Sequence, residues 1–373
     1  MSHPASGSRS VPFVNFSAQF AEERSELLPL IEAAFAKGEF VGGAAIELLE
    51  AEAARWLGAR HVVALNSGTD ALILGMKALG IGPGDEVITP PNSFVASTAA
   101  VVAAGATPVF VDVLPDQNID PQAVAAAVTS RTRAIMPVHL TGRIADMAPL
   151  KALAERHGLA VVEDAAQSFG SRYDGRLSGT FGHVGCFSAH PLKNLNAAGD
   201  AGLLVTDDDK VAGTVRLLRN HGLIDRNRVE IWGGVSRLDT IQAEILRLRL
   251  RRLGPVLERR RANAALYHRL LADTPVFMPP CRTIEYNTFH TFVVQVDRRD
   301  DLQAHLTAHG IGSAIHYPVP IHLQPAAASL GYGKGAFPVV ETQAARILSL
   351  PVNQYLTEDD IAYVSATIRE FFV

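Results

Sequence analysis

Between residues 61 and 206 short apolar runs alternate with helix-patterned segments, and this alternation restricts the fold of the 373-residue chain more than any other feature. HVVAL (61–65) precedes the helical ALILGMKAL, DEVITP (85–90) precedes SFVASTAAVVAAG (93–105), and TPVFVDV (107–113) precedes DPQAVAAAV (120–128). RAIMPVH (133–139), DMAPLKALAERHG (146–158) and LAVVED (159–164) continue the series, with CFSA (186–189) and AGLLVT (201–206) as further strands. Such an order predicts an α/β fold, a large domain whose mostly parallel sheet is covered by helices on both faces. Helices are also expected over 22–36, where Leu27, Leu28, Ile31 and Phe35 recur at helical spacing, and over 44–57.

The pattern changes after residue 236. LDTIQAEILRLRLRRLGPVLERRRANAALYHRLLA is long, arginine-rich and apolar on a repeating face. It predicts a long helical connection, kinked at Gly254 and Pro255. HTFVVQV (290–296), a helix at 300–309, IGSAIHYPV (311–319) and a closing helix at 358–371 then predict a smaller α+β domain. The expected division is 1–245 for an N-terminal arm and large domain, and 246–373 for the connecting helix and small domain.

Composition narrows the function. Lys and Arg total 34 against 38 for Asp and Glu, so no basic excess points to nucleic acid. The two cysteines, Cys186 and Cys281, form no CxxC motif, which argues against a thiol zinc site or a disulfide framework and fits a reducing, cytoplasmic setting. The opening MSHPASGSRS is followed by no apolar signal segment, and the longest apolar runs are broken by polar residues, Gly and Pro, so no membrane span is expected.

Four loops carry candidate chemistry. Asn66-Ser67-Gly68-Thr69-Asp70 lies between a strand and a helix, where free N–H groups and a hydroxyl make a phosphate cradle or simply a helix cap. Glu163-Asp164-Ala165-Ala166-Gln167 follows an apolar strand, where a carboxylate can pair with a protonated ring nitrogen, bind a metal or cap a helix. Ser188-Ala189-His190-Pro191-Leu192-Lys193-Asn194 sets a lysine among apolar neighbours, which suits a nucleophile, although a solvated loop lysine is the plainer reading. His316-Tyr317-Pro318-Val319-Pro320-Ile321-His322 offers two histidines for a substrate but no close third ligand for a metal. Together the loops fit a cofactor that needs a phosphate cradle, a carboxylate and a lysine, as pyridoxal 5′-phosphate does. A Rossmann dehydrogenase is disfavoured, because no GxGxxG follows the first strand.

The run VVEDAAQSFGSRYDGRLSGTFGHVGCFSAHPLKNLNAAGDAGLLVT (161–206) resembles the core signature of the sugar aminotransferase family named for DegT, DnrJ, EryC1 and StrS. SGTDAL (67–72), PGDEVITPPNSFVAS (83–97), LRNHG (218–222) and HYPVPIHLQPA (316–326) are also similar, and the likeness covers roughly residues 12–373. It implies the type I fold of pyridoxal-phosphate transferases and a homodimer. Lys193 would bind the cofactor and shuttle the proton, Asp164 would pair with the ring nitrogen, Gln167 would contact the ring's phenolic oxygen, and Phe94 would stack on the ring. Gly68, Thr69 and Ser188 would hold the phosphate, with Asp70 adding a backbone N–H.

Relatives with histidine at the Lys193 position dehydrate their substrate, so the lysine implies transamination. The donor would be L-glutamate or L-glutamine. The acceptor would be a nucleotide-linked keto sugar, most similar to those aminated at C3, with C4 keto sugars and inososes as alternatives, and a sugar dehydratase or a non-catalytic regulatory protein of the same fold as rival readings. His316, Tyr317, His322, Arg219 and Arg237 would meet the substrate. One departure stands out. The family's G-x-N-x-R pattern reads Gly233-Gly234-Val235-Ser236-Arg237, so Val235 replaces the asparagine that reaches the partner's phosphate, and Ser236 or a backbone N–H is the expected substitute. Asn220 and His221 would face the partner's site, and Phe169 would reshape the sugar side.

Overall fold

In a computed structural model describing residues 9–373, the alternating runs form a seven-stranded sheet. Its strands are β1 (His61–Leu65), β2 (Glu86–Thr89), β3 (Thr107–Phe110), β4 (Thr132–Ile135), β5 (Ala160–Asp164), β6 (Val184–Ser188) and β7 (Gly202–Thr206). The spatial order is β1-β7-β6-β5-β4-β2-β3, and only β7 runs against the rest. The helices are α1 (Phe16–Lys37), α2 (Ala44–Leu57), α3 (Gly68–Ala78), α4 (Val95–Ala103), α5 (Pro121–Ala127), α6 (Met147–His157), α7 (Asp209–Leu218), α8 (Thr240–Leu270), α9 (Arg299–Ala308), α10 (Pro338–Arg346) and α11 (Glu358–Phe371). No helix among the described residues is long and apolar enough to cross a membrane.

Alternation along the strands builds a core on each face. Val62 and Ala64 join Leu49, Leu246 and Leu253 under α2 and α8, while Val63 and Leu65 join Leu72, Met76 and Val215 under α3 and α7. A separate core binds the second half of α8 to α9, α11 and a two-stranded sheet, β8 (Phe292–Gln295) with β9 (Ile347–Leu350). Val11 of the N-terminal arm enters this core and pairs with Ile311.

Three elements differ from the expectations. Helix α1 begins at Phe16 rather than residue 22, because the Asn15 side chain accepts a bond from the Ala18 N–H and caps an earlier start. Helix α8 is unbroken through Gly254 and Pro255. Leu246, Leu250, Leu253 and Leu257 are buried along it, and that packing outweighs the one backbone bond a proline removes. Finally, α7, α10 and β9 fall in stretches where no element was expected.

Candidate active site

The loops after β1, β2, β5 and β6 leave the same, carboxyl edge of the sheet, where open α/β folds bind their ligands. They wall a cavity of about 580 Å³ whose lining includes Gly68, Phe94, Asp164, Gln167, Lys193 and Tyr317. Thr69, Ser188 and His316 line it as well.

Lys193 is placed by a clamped hairpin. Its loop spans 189–201 between the paired strands β6 and β7, with the Ala189 N–H bonded to the Ala201 carbonyl (2.8 Å) and the Ala197 N–H to the Ala189 carbonyl (2.7 Å). Asn196 Nδ2 donates to the Pro191 carbonyl at 2.8 Å, and Asn194 Nδ2 to the Thr288 carbonyl at 3.2 Å. The Lys193 ammonium itself has no hydrogen-bond or carboxylate partner among the described residues. Burial pushes its pKa down to about 8, against the opposing pull of Asp164.

Asp164 closes β5 and is buried. Ser97 Oγ, one turn after Phe94 in α4, donates to its Oδ2 at 2.6 Å, and the Ala166 N–H reaches Oδ1 at 3.2 Å. Burial raises its pKa despite both bonds. A cation brought against this carboxylate would reverse that shift. Adjacent Glu163 points to the opposite face of the strand. It accepts from His139 Nε2 (2.9 Å) and from the N–H groups of Gly179, Phe181 and Gly182 (2.8, 2.6 and 2.6 Å), which makes it a brace for that loop.

The first turn of α3 faces the cavity. The N–H groups of Gly68 and Thr69 have no partner among the described residues. Gly68 is required by close approach, since a Cβ there would lie 2.7 Å from Ser188 Cβ. Gln167 Oε1 accepts from the Thr141 N–H (2.7 Å), leaving Nε2 directed at the Tyr317 hydroxyl (3.4 Å). Tyr317 also lies against Phe94, with ring centroids 5.7 Å apart. Burial and the Lys193 charge push His316 down to about 4, so it is neutral at working pH, and its Nδ1 is held 2.8 Å from Ser349 Oγ.

The single chain gives six of the expected residues other surroundings. The Asp70 N–H is already bonded to Ser67 Oγ at 3.1 Å, within the helix cap, and Asp70 lies outside the cavity lining. His322 is packed on Phe337 and bonded to Glu341 at 3.1 Å, because the Pro318–Pro320 turn sends His316 and Tyr317 into the cavity and His322 away from it. Arg219 binds Glu50 (2.5 Å) and the Ala64 carbonyl (2.8 Å), bracing β1. Arg237 donates to Asn220 Oδ1 at 3.2 Å on the exposed edge and does not line this chain's cavity. Phe169 sits in the core between Trp56 and Phe187. Ser236 is buried with its Oγ 3.2 Å from Asn66 Oδ1, so it supports the loop before Gly68 from within.

Sequence reasoning missed Ser97, which lies in the first turn of α4, three residues after the N-cap Phe94. It also missed His290 and Arg260 in the cavity wall.

The constellation fits pyridoxal phosphate. Unpartnered N–H groups at a helix start suit a phosphate, a buried carboxylate with no cation bonded to it suits a ring N–H, and an unpaired lysine of lowered pKa suits an aldehyde. The neutral amine is the attacking form, so the rate of cofactor capture by the apoenzyme is expected to rise about tenfold per pH unit below 8 and level off above it. Stopped-flow absorbance between about pH 6 and 10 checks this, because an unshifted lysine would still be gaining rate at pH 10.

Comparisons with known proteins agree with this geometry. Residues 21–369 match the DegT/DnrJ/EryC1/StrS aminotransferase family. The chain is 44% identical over 363 residues to a dTDP-3-amino-3,4,6-trideoxy-alpha-D-glucose transaminase of Streptomyces venezuelae, covering 97% of this chain and 96% of that protein. It is 41% identical over 367 residues to a pleiotropic regulatory protein of Geobacillus stearothermophilus, covering 97% and 99%. The solved structure of S. venezuelae DesV in complex with a ketimine intermediate superposes with a TM-score of 0.95 over 97% of this chain and 98% of that one, at 44% identity. The chain belongs to the DegT/DnrJ/EryC1/StrS family and is a pyridoxal-phosphate-dependent aminotransferase.

Proposed function

We propose that the enzyme moves an amino group from L-glutamate or L-glutamine to the C3 keto group of a nucleotide-linked sugar, in two half-reactions at one site. The observation that carries this reading is the meeting of Lys193, Asp164 and the α3 N-terminus on one cavity. The carbon assignment is supported by the 3-amino product in the name of the S. venezuelae relative.

Pyridoxal phosphate, when bound, supplies an electron sink and a temporary carrier for the amino group. Lys193 would hold it covalently and, once freed by the donor, would move the proton at the reacting substrate carbon. Asp164 keeps the ring nitrogen protonated, with Ser97 orienting the carboxylate. Gln167 and Tyr317, paired with each other, would meet the ring's oxygen, and Phe94 beside them would cover a ring face. Gly68, Thr69 and Ser188 hold the phosphate. His316, neutral at working pH, donates or accepts a hydrogen bond to the sugar without adding charge.

A second copy of the chain completes the site. Trp232 is 92% exposed, and Phe16, Phe20, Phe35, Phe40 and Val235 also present apolar surface that a second copy would cover. Val235 makes no hydrogen bond to a neighbouring phosphate through its side chain, so the cradle relies on α3. The unpaired thiols, Cys186 and Cys281, agree with the cytoplasm as its setting.

The test supplies the purified holoenzyme with glutamate or glutamine and a panel of 3-keto and 4-keto nucleotide sugars, with nitrogen located in the product by NMR. Amination at C3 supports the reading. Products aminated only at C4 overturn the carbon assignment, and turnover with neither class overturns the acceptor.

A further inference from the structure

Three arginines of α8 that line the cavity have carboxylate partners on α1. Arg249 meets Glu23 at 2.8 Å, Arg259 meets Glu22 at 3.4 Å, and Arg252 meets Glu26. Arg260 lines the same cavity and has no carboxylate partner among the described residues. It is only 8% exposed, and it interrupts the buried seam of Leu253, Leu257, Ala264, Tyr267 and Leu271. Its Nη1 donates to the carbonyls of Phe289 and His290 at 3.0 and 3.2 Å, its Nε is buried without a partner, and its Nη2 donates to nothing among the described residues.

A guanidinium in such a place is costly, and two carbonyls offset only part of the lost hydration. Burial lowers its pKa to about 10, which still leaves it charged at neutral pH. Of the carboxylates that line the cavity, Glu22 and Glu23 are engaged by arginines and Asp164 by Ser97, while Asp200 is exposed and makes no ion pair with Arg260. His290, next in the wall, is held neutral by burial and by the charges of Lys193 and Arg260, and an imidazole brings no negative charge to Arg260 in either form.

We propose that Arg260 binds the carboxylate of the amino donor, an α-amino acid of the glutamate type. The proposal rests on the aminotransferase reading above. Guanidinium and carboxylate match as two parallel hydrogen bonds, and Nε with Nη2 is the edge left open. The donor's α-carboxylate is attached to the carbon whose nitrogen bond is exchanged, so it must bind close to Lys193. A nucleotide diphosphate, the other anion the reaction brings, is separated from the reacting carbon by the sugar ring.

The test measures binding to the holoenzyme by calorimetry, with glutarate as a dicarboxylate that has no amine to transfer, and with thymidine and uridine diphosphates separately. Wild type is expected to bind glutarate. Arg260→Met should weaken that binding about 30-fold or more, and Arg260→Lys should recover part of it. Diphosphate affinity and the absorbance band of the lysine-bound cofactor should stay as in wild type, whereas general structural damage would move all three. The glutamate concentration for half-conversion should rise in parallel with the loss of glutarate binding.

Unchanged glutarate affinity in either variant would overturn the proposal, as would wild type that binds none. Loss of diphosphate with glutarate retained would assign Arg260 to the nucleotide instead. If Arg260→Met does not fold, the lysine variant and the wild-type titration decide. An enzyme that binds glutarate through Arg260 but aminates no nucleotide sugar would leave this assignment standing and sink the acceptor reading.

Discussion

Replacing Lys193 with alanine is expected to lower amino transfer by about 10³-fold or more, since one side chain supplies both the covalent anchor and the moving proton. Nothing else in the cavity can take over. Lys193 is the only lysine in its lining, and His290 and His316 are both pushed down by burial and by the lysine's charge. Removing that charge lets both histidines regain basicity, yet neither can form the same bond to an aldehyde. The variant should still take up the cofactor non-covalently through α3 and Asp164, and lose it faster on dialysis. Single-turnover absorbance with glutamate measures the first effect, and cofactor content after dialysis the second. A variant within tenfold of wild type would exclude Lys193 from the chemistry.

Asp164→Asn should cost about 10²-fold or more in the same assay, for an electrostatic reason. The amide keeps the shape and can still accept from Ser97, but it carries no charge to hold a ring nitrogen protonated. The apoenzyme should respond differently. Burial disfavours the Asp164 carboxylate, and its folded pKa lies above the unfolded value. Such a group withdraws stability as pH rises from the unfolded pKa to the folded one. The neutral amide removes that penalty, so apoenzyme melting at neutral pH should be unchanged or higher while activity collapses. A fall in both would mean that Asp164 acts as a structural bond acceptor instead.

The large sheet was legible in the sequence because its central strands are buried on both faces and read as short apolar runs. The loops after β1, β5 and β6 were legible for the same reason, since a polar cluster following such a run must lie at the sheet's carboxyl edge. Partner choice within a loop was not. Ser67-Gly68-Thr69-Asp70 allowed both a phosphate cradle and a helix cap, and only the structure shows that Ser67 consumes the Asp70 N–H while those of Gly68 and Thr69 stay open. His316 and His322 look alike in the chain, and only the course of Pro318–Pro320 sends one to the cavity and the other to Glu341. Arg219 and Ser236 resemble surface or substrate contacts until Glu50 and Asn66 are seen beside them.

Arg260 is the instructive miss. The spacing 253-257-260-264-267-271 repeats in steps of four and three, the signature of a buried helical seam. An arginine inside it could have been recognised without a structure, but the sequence reads there as an arginine-rich helical connection in which no arginine is singled out.

The most direct measurement is borohydride reduction of the purified holoenzyme, which converts a lysine–cofactor bond into a stable amine, followed by digestion and peptide mass spectrometry. A phosphopyridoxyl group on Lys193 is the expected result. The same group on another lysine, or none on an enzyme that nevertheless transfers amino groups, would contradict the account.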